Sequence, residues 1–194
     1  TAPPSTGPAP AAARYRVQLA TDESQVRAAQ RLRHQVFARE LGARLRGGPG
    51  LDADWFDNHC DHLLVVENAT GRVVGTYRLL PPERARIAGH LYSEQEFALD
   101  RLDGIRGDLV EAGRSCVHPD HRDGAVISLM WAGIARYLLA GGHNWLAGCC
   151  SVSLADGGAL AETVWRRTSA RHLAAEEFRV TPRRPWPVTD TTDP

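Results

Sequence analysis

The stretch His62–Leu80, HLLVVENATGRVVGTYRLL, decides the fold. His62–Glu67 and Arg72–Leu80 are short runs rich in Leu and Val, and Asn68-Ala-Thr-Gly71 between them carries turn residues. Such a pattern reads as a β-hairpin. Pro81 and Pro82 stop the second strand, because proline offers no N–H to a ladder. Working outward, Tyr15–Ala20, Asp108–Val117 and Asn144–Val152 read as further strands, with Phe178–Thr181 as a short addition. Asp22 with Gln25 three residues on is a helix start, and apolar positions then recur on one face to about Leu41, where Gly42 ends the helix. Ala125–Ala140 is apolar enough to be a buried helix, and Asp156–Glu177 is a final one. Glu83–Arg106 is less regular. The order strand, helix, hairpin, strand, helix, strand, helix predicts an α/β (α+β) domain with one mixed sheet flanked by helices. It is not doubly wound, since the hairpin makes part of the sheet antiparallel.

At 194 residues the chain suits one domain, expected over 14–181, with 1–13 as a flexible extension and 182–194 as a Pro-rich tail. Lys plus Arg and Asp plus Glu both total 23, so the chain is neutral and lacks the basic excess of a general nucleic-acid binder. Every basic residue among those 23 is Arg, which excludes a lysine Schiff base. The four cysteines form no C-x-x-C, which argues against a zinc knuckle or disulfide framework and makes a reduced, cytoplasmic setting the expectation. No apolar run reaches the ~18 residues of a membrane span.

Several residues are not explained by folding alone. Arg33 sits in the apolar stripe of the first helix beside Val36 and Phe37, so it must either be paired or snorkel to the surface. Asp52, Asp54 and Asp57 follow around Trp55 and Phe56; they are partners for Arg33, a cradle for a cationic substrate, or a solvated loop. Arg33 is expected within reach of Asp54, Asp57 or Glu111. Arg78, Glu111 and Arg114 lie in inner strands, which calls for an ion-pair network or a site. Three residues of regular strand would put Glu111 and Arg114 on opposite faces, but Gly113 between them permits a β-bulge that re-aims one. His59, Cys60 and His62 lack a second half with metal-ligand spacing, so no metal site is expected, and a Cys/His nucleophile is equally weak. The polar loop Pro119–Gly124 before the apolar helix presents helix N–H groups suited to a phosphate.

Five anchors in order carry a family resemblance: Arg33-His-Gln-Val-Phe37, Asp54-Trp-Phe-Asp57, Cys60-Asp-His-Leu63, Gly75-Thr-Tyr-Arg-Leu-Leu80 and Glu111-Ala-Gly-Arg-Ser-Cys-Val117. Over Tyr15–Val152 the chain resembles the GNAT-fold N-acyltransferases that use acyl carrier protein. Both the acyl-homoserine-lactone synthases and the ornithine–acyl-carrier-protein N-acyltransferases fit. The synthases also keep a Trp after the Phe, where this chain has Leu41-Gly-Ala43. The wording of the last three anchors is closer to the ornithine branch. That branch runs on past the final helix with further sheet; unless the sequence is short, Phe178–Thr181 is left to close it.

The resemblance implies a GNAT-type sheet and transfer of a fatty acyl group from a carrier-protein thioester to an amino acid, ornithine first, toward lyso-ornithine lipid. It assigns Glu111, Arg114 and Arg78 to catalysis, with Glu111 as base and a backbone N–H near Gly113–Ser115 as oxyanion donor. Arg33, Phe37, Asp54, Asp57 and Ser115 go to the substrate, the arginines also holding the acceptor's carboxylate. Arg122 and Gly124 go to the phosphopantetheine phosphate. No permanent cofactor is implied; acyl-phosphopantetheine, on carrier protein or CoA, is the co-substrate. The implied partners are acyl carrier protein and a small amino acid, with no nucleic acid, and a lipid product brings peripheral membrane contact. The rival readings are an acyl-homoserine-lactone or other N-acyl amino acid synthase, and a non-catalytic carrier-protein binder.

Overall fold

β2 (Asp61–Glu67) and β3 (Val73–Leu80) pair antiparallel, with His62 opposite Arg78 and Leu64 opposite Thr76. The computed structural model describes residues 14–45 and 47–186, so the expected 1–13 extension and the end of the expected tail, 187–194, lie outside the described residues. β2 is apolar without interruption because both its faces are covered. Leu63 and Val65 join one core cluster, Leu64 and Val66 another. β1 (Tyr15–Leu19) pairs antiparallel with β2, and β5 (Leu109–Val117) antiparallel with β3. β6 (Trp145–Ala147) runs parallel to β5, which completes one mixed sheet of order β1-β2-β3-β5-β6.

α1 (Glu23–His34) starts as its sequence predicts: the Asp22 carboxylate accepts from Gln25 N–H at 3.0 Å. After His34 the helix widens into a π-helical turn, Gln35–Glu40, a form that recurs at functional sites. Ala29, Leu32 and Val36 lay α1 on one face of the sheet. α3 (Ala125–Gly141) covers the other with Val126, Met130 and Ile134. α3 lies close because Gly75 has no side chain; a Cβ there would be 2.5 Å from Val126 Cγ1 and 3.0 Å from Met130 Sδ.

Four expectations need correction. α3 is not buried all round, since Ile127, Trp131 and Leu139 are exposed on its outer side. β6 is only three residues long, not Asn144–Val152. At Gly148 the chain crosses so near β5 that a Cβ would sit 2.2 Å from the Ala112 carbonyl oxygen. The last helix, α4, spans Ala159–His172, because Leu173 is already extended. Phe178–Thr181 does not close the main sheet; β7 (Thr181–Pro182) pairs instead with β4 (Phe97–Ala98) in a separate two-stranded sheet. Between β3 and β5 the irregular stretch contains α2 (Pro82–Ala88), entered with proline at its first position, and short 3₁₀ turns at Tyr92–Gln95 and Asp100–Asp108.

Candidate functional site

Asp54-Trp-Phe-Asp57 folds on itself before it meets any partner. Asp54 Oδ1 accepts from Phe56 N–H at 2.9 Å, and Asp57 Oδ2 accepts from Asp54 N–H at 2.8 Å, a capping box that starts the 3₁₀ turn Trp55–His59. The box aims both carboxylates at the arginines of α1, β3 and β5.

The result is a closed ring of three arginines and three aspartates. Arg33 Nε lies 3.2 Å from Asp52 Oδ2, and its Nη2 lies 2.6 Å from Asp57 Oδ1. Asp57 Oδ2 is 3.4 Å from Arg78 Nη1, which is 2.6 Å from Asp54 Oδ1. Asp54 Oδ2 is 3.1 Å from Arg114 Nη2, and Arg114 Nε returns to Asp52 Oδ2 at 3.2 Å. The Arg33 guanidinium also donates to the Asp52 carbonyl. Arg33 is thus fully buried and paired, as expected, through Asp57 and additionally through Asp52. Burial alone would raise the Asp57 carboxyl, but Arg33, the Asp54 N–H and Arg78 outweigh it and hold the group below the usual carboxylate range. Burial likewise opposes the charge on Arg114, and the Tyr92 hydroxyl, Asp52 and Asp54 restore it. His62 is pushed below the usual imidazole range, chiefly by burial, so it stays neutral beside Asp57. The ring therefore balances its own charge. It is sealed at Arg33 and Arg78 and opens at Arg114 and Asp54, whose side chains are 24% and 23% exposed.

Arg114 reaches the ring by a backbone device. Thr76 faces Cys116 while Arg78 faces Gly113, so β5 carries an extra residue opposite Tyr77. The bulge anticipated from Gly113 is there, but Arg114 itself takes the left-handed conformation, with φ 54°.

Glu111 stands beside the ring and outside it. Its Oε2 accepts from Tyr92 N–H and its Oε1 from Ser93 N–H, both at 2.7 Å. No arginine pairs with it among the described residues. It is also the last residue of β5 aligned with β6, opposite Ala147, so the carboxylate sits where the β5–β6 ladder ends. A carboxylate has about four acceptor directions, and the two N–H groups leave the others free. Tyr92 links the two assemblies: its N–H holds Glu111, and its hydroxyl accepts from Arg114 at 3.3 Å.

Residues 32–132 match the family model described as an acetyltransferase (GNAT) domain. The chain belongs to the GNAT acetyltransferase family. This GNAT chain is 40% identical over 177 residues to an L-ornithine N(alpha)-acyltransferase of Rhodobacter capsulatus, covering 85% of this chain and 66% of that protein. It is 39% identical over 145 residues to the protein of the same name from Brucella abortus, covering 70% of this chain and 52% of that one. It thus spans under two thirds of the first relative's length and about half of the second's. Among solved structures it resembles a CoA-dependent acyl-homoserine lactone synthase bound to SAM and isopentyl-CoA, with TM-score 0.54 and 24% identity over 75% of this chain and 70% of that one. The lactone synthase LasI gives TM-score 0.51 and 20% identity over 69% and 71%. At these identities the likeness is one of fold.

The remaining expected site residues of this GNAT domain gather in a second place. Phe37, Ser115, Arg122 and Gly124 line a cavity of about 360 Å³ next to the start of α3. Gly124 precedes that helix with φ 91°, which needs glycine. Arg122 is already engaged, donating to both Glu40 oxygens and to the Val117 carbonyl. Cys60 and Cys116 are not nucleophiles, because burial pushes both thiols up to about 12. The list of site residues drawn from the sequence omits Asp52, Tyr92 and Ser93. Asp52 carried the same acidic-loop signal as its neighbours; Tyr92 and Ser93 contribute backbone N–H groups, which leave no side-chain signature.

Proposed function

We propose that this chain carries the acyl-transfer centre of an L-ornithine N-acyltransferase, moving a fatty acyl group from an acyl-carrier-protein thioester to the α-amino group of ornithine. The observation that carries this reading is the Glu111 carboxylate, fixed by two N–H groups at the end of the β5–β6 ladder. The likeness to proteins named for ornithine acylation supports the choice of acceptor. The acceptor arrives as an ammonium ion, and Glu111 takes its proton directly or through one water. The neutral amine attacks the thioester carbon, the tetrahedral oxyanion is met by a backbone N–H of the Arg114 bulge, and collapse expels the carrier sulfur, which leaves as the thiol with the second proton of the attacking nitrogen.

Arg33 and Arg78 are buried and engaged by aspartates, which supports a positioning role for both. Arg114, at the open edge of the ring, is the guanidinium within reach of an acceptor's carboxylate. The cavity lined by Phe37, Ser115 and Gly124 suits the phosphopantetheine arm, with the start of α3 facing its phosphate. A fatty N-acyl product would meet the membrane surface. Among the described residues no helix is long and apolar enough to cross a membrane.

The test is incubation with acyl-carrier-protein and acyl-CoA thioesters against a panel of amines that includes ornithine and S-adenosylmethionine, with products read by mass spectrometry. N-acyl ornithine is expected. A lactone product would move the chain to the synthase reading. Binding of carrier protein without any product from folded protein would overturn acyl transfer.

A further inference from the structure

On the other side of α1 from the arginine–aspartate ring, α1 and the start of β3 enclose a cavity of about 360 Å³ lined by Arg31, Leu32, Gln35, Arg72, Val73 and His118. It shares no residue with the ring, the Glu111 clamp or the cavity at Gly124. We propose that it is a binding site for a phosphate-class oxyanion, held by Arg31 and Arg72 with Gln35 and His118 as neighbours.

Some arginines of the chain are neutralised by carboxylates and others are not, and two of the latter line this cavity. Arg14, Arg27, Arg84, Arg106, Arg122 and Arg166 each pair with a carboxylate. Arg31 and Arg72 have no carboxylate within reach among the described residues. Glu67, the acidic residue nearest Arg72 along the chain, is taken by Arg14 at 3.7 Å and by the Thr70 hydroxyl at 2.8 Å. The Arg72 guanidinium turns instead to His118, donating to Nε2 at 2.5 Å, and Gln35 Nε2 lies 3.0 Å from the same atom. A charged donor resting on a neutral imidazole rather than on an anion is an unneutralised site. His118 is 7% exposed, so its ring is a fixed wall, with the exposed Asp120 carboxylate 3.6 Å away on its Nδ1 side. Arg31 and Arg72 are both exposed, so an anion can enter from solvent. Guanidinium forks from two different elements line the cavity, and such forks match the tetrahedral oxygens of phosphate. The volume exceeds that of a bare phosphate and accommodates a phosphoester with part of its attached group.

The test is calorimetric titration of wild type, Arg31→Gln and Arg72→Gln with inorganic phosphate, CoA and dephospho-CoA at constant ionic strength, with chloride as control. Phosphate is expected to bind wild type, and each variant to weaken it about tenfold or more, the loss of one charge-assisted pair. If CoA binds more tightly than dephospho-CoA and the difference vanishes in the variants, the oxyanion is the nucleotide's 3′-phosphate. If the two bind alike and phosphate still binds through these arginines, its source is free phosphate or another phosphoester. No phosphate binding to wild type, or variants that bind phosphate as tightly as wild type does, overturns the proposal. So does capture of an acidic carrier protein by these arginines without any response to phosphate. If Arg72→Gln fails to fold, Arg31→Gln decides alone, since Arg31 loses no side-chain partner among the described residues. None of these readouts depends on acyl transfer, so failure here leaves the proposed activity untouched.

Discussion

Replacing Glu111 by Gln separates two jobs that the structure gives one side chain. Each carboxylate oxygen accepts a backbone N–H at 2.7 Å, from Tyr92 and from Ser93. An amide supplies one oxygen and one NH₂, so one of these N–H groups must face another donor. The remaining bond loses the charge that strengthened it. A hydrogen bond to a charged group contributes about 1.5–3 kcal/mol and a buried donor left unpaired costs about 1–3 kcal/mol, so Glu111→Gln should destabilise by about 2–4 kcal/mol. Denaturant melts measure this. Turnover should fall by about 10²–10⁴-fold through loss of the base, and part of it should return at higher pH as the acceptor amine loses its proton unaided. Glu111→Asp is the control: it keeps the charge but shortens the reach, so it should retain more of the pH profile than Gln does. A folded Glu111→Gln enzyme with wild-type turnover refutes the base. Wild-type stability refutes the clamp. Activity lost in proportion to stability, with no rescue at high pH, would make Glu111 a structural residue only.

Asp57→Asn leaves Arg33 and Arg78 underpaired in a buried place and should cost about 3–5 kcal/mol in a denaturant melt. The folded Asp57 carboxyl lies below its unfolded range, so its stabilisation is present above the unfolded value near ~3.9 and is lost as pH falls through the folded one. Acid unfolding of wild type should therefore steepen below about pH 4, and the Asn variant should lose that limb. Gly75→Ala places a methyl 2.5 Å from Val126 Cγ1 and should destabilise by about 1–3 kcal/mol, read as a lowered melting midpoint. Iodoacetamide at pH 8 should label the exposed pair Cys149 and Cys150 in the native protein and spare the buried Cys60 and Cys116, checked by peptide mass mapping.

The hairpin, the flanking helices and the ring arginines were legible because each leaves a local mark. His62–Leu80 shows apolar runs around a turn, and Arg33 interrupts an apolar helix face, which only pairing excuses. The two-aspartate spacing of Asp54 and Asp57 is itself a capping signature. What was not legible arises where tertiary contact overrides local pattern. β6 ends early because Gly148 must pass the Ala112 carbonyl, and nothing in Asn144–Val152 announces that crossing. The outer side of α3 keeps Ile127, Trp131 and Leu139 beside Ser128 and Arg136, so composition alone did not show that those three face outward. The bulge was anticipated from Gly113, yet the strain fell on Arg114, because the ring carboxylates hold its guanidinium in place. Glu111 looked like a partner for arginines, but its partners are N–H groups, and backbone donors are the same in every sequence.

The ring is costly to bury, and its energy is a poor account of why it exists. Replacing such a network wholesale with apolar side chains is often neutral or stabilising, while removing one member is severe. Its consequence is positional. It ties α1, the Asp52 loop, the Trp55–His59 turn, β3 and β5 through six short contacts, three arginines matched by three aspartates. Arg114 also reaches out of the ring, donating to the Tyr92 hydroxyl and lying 5.0 Å from the centre of its aromatic ring, and Arg78 lies 5.8 Å from the same centre. Tyr92 in turn presents the N–H that holds Glu111. Rigidity therefore reaches the Glu111 carboxylate along β5 itself and through the Tyr92–Ser93 backbone. A base that must meet an amine and a thioester at bonding distance needs that placement more than it needs a shifted proton affinity.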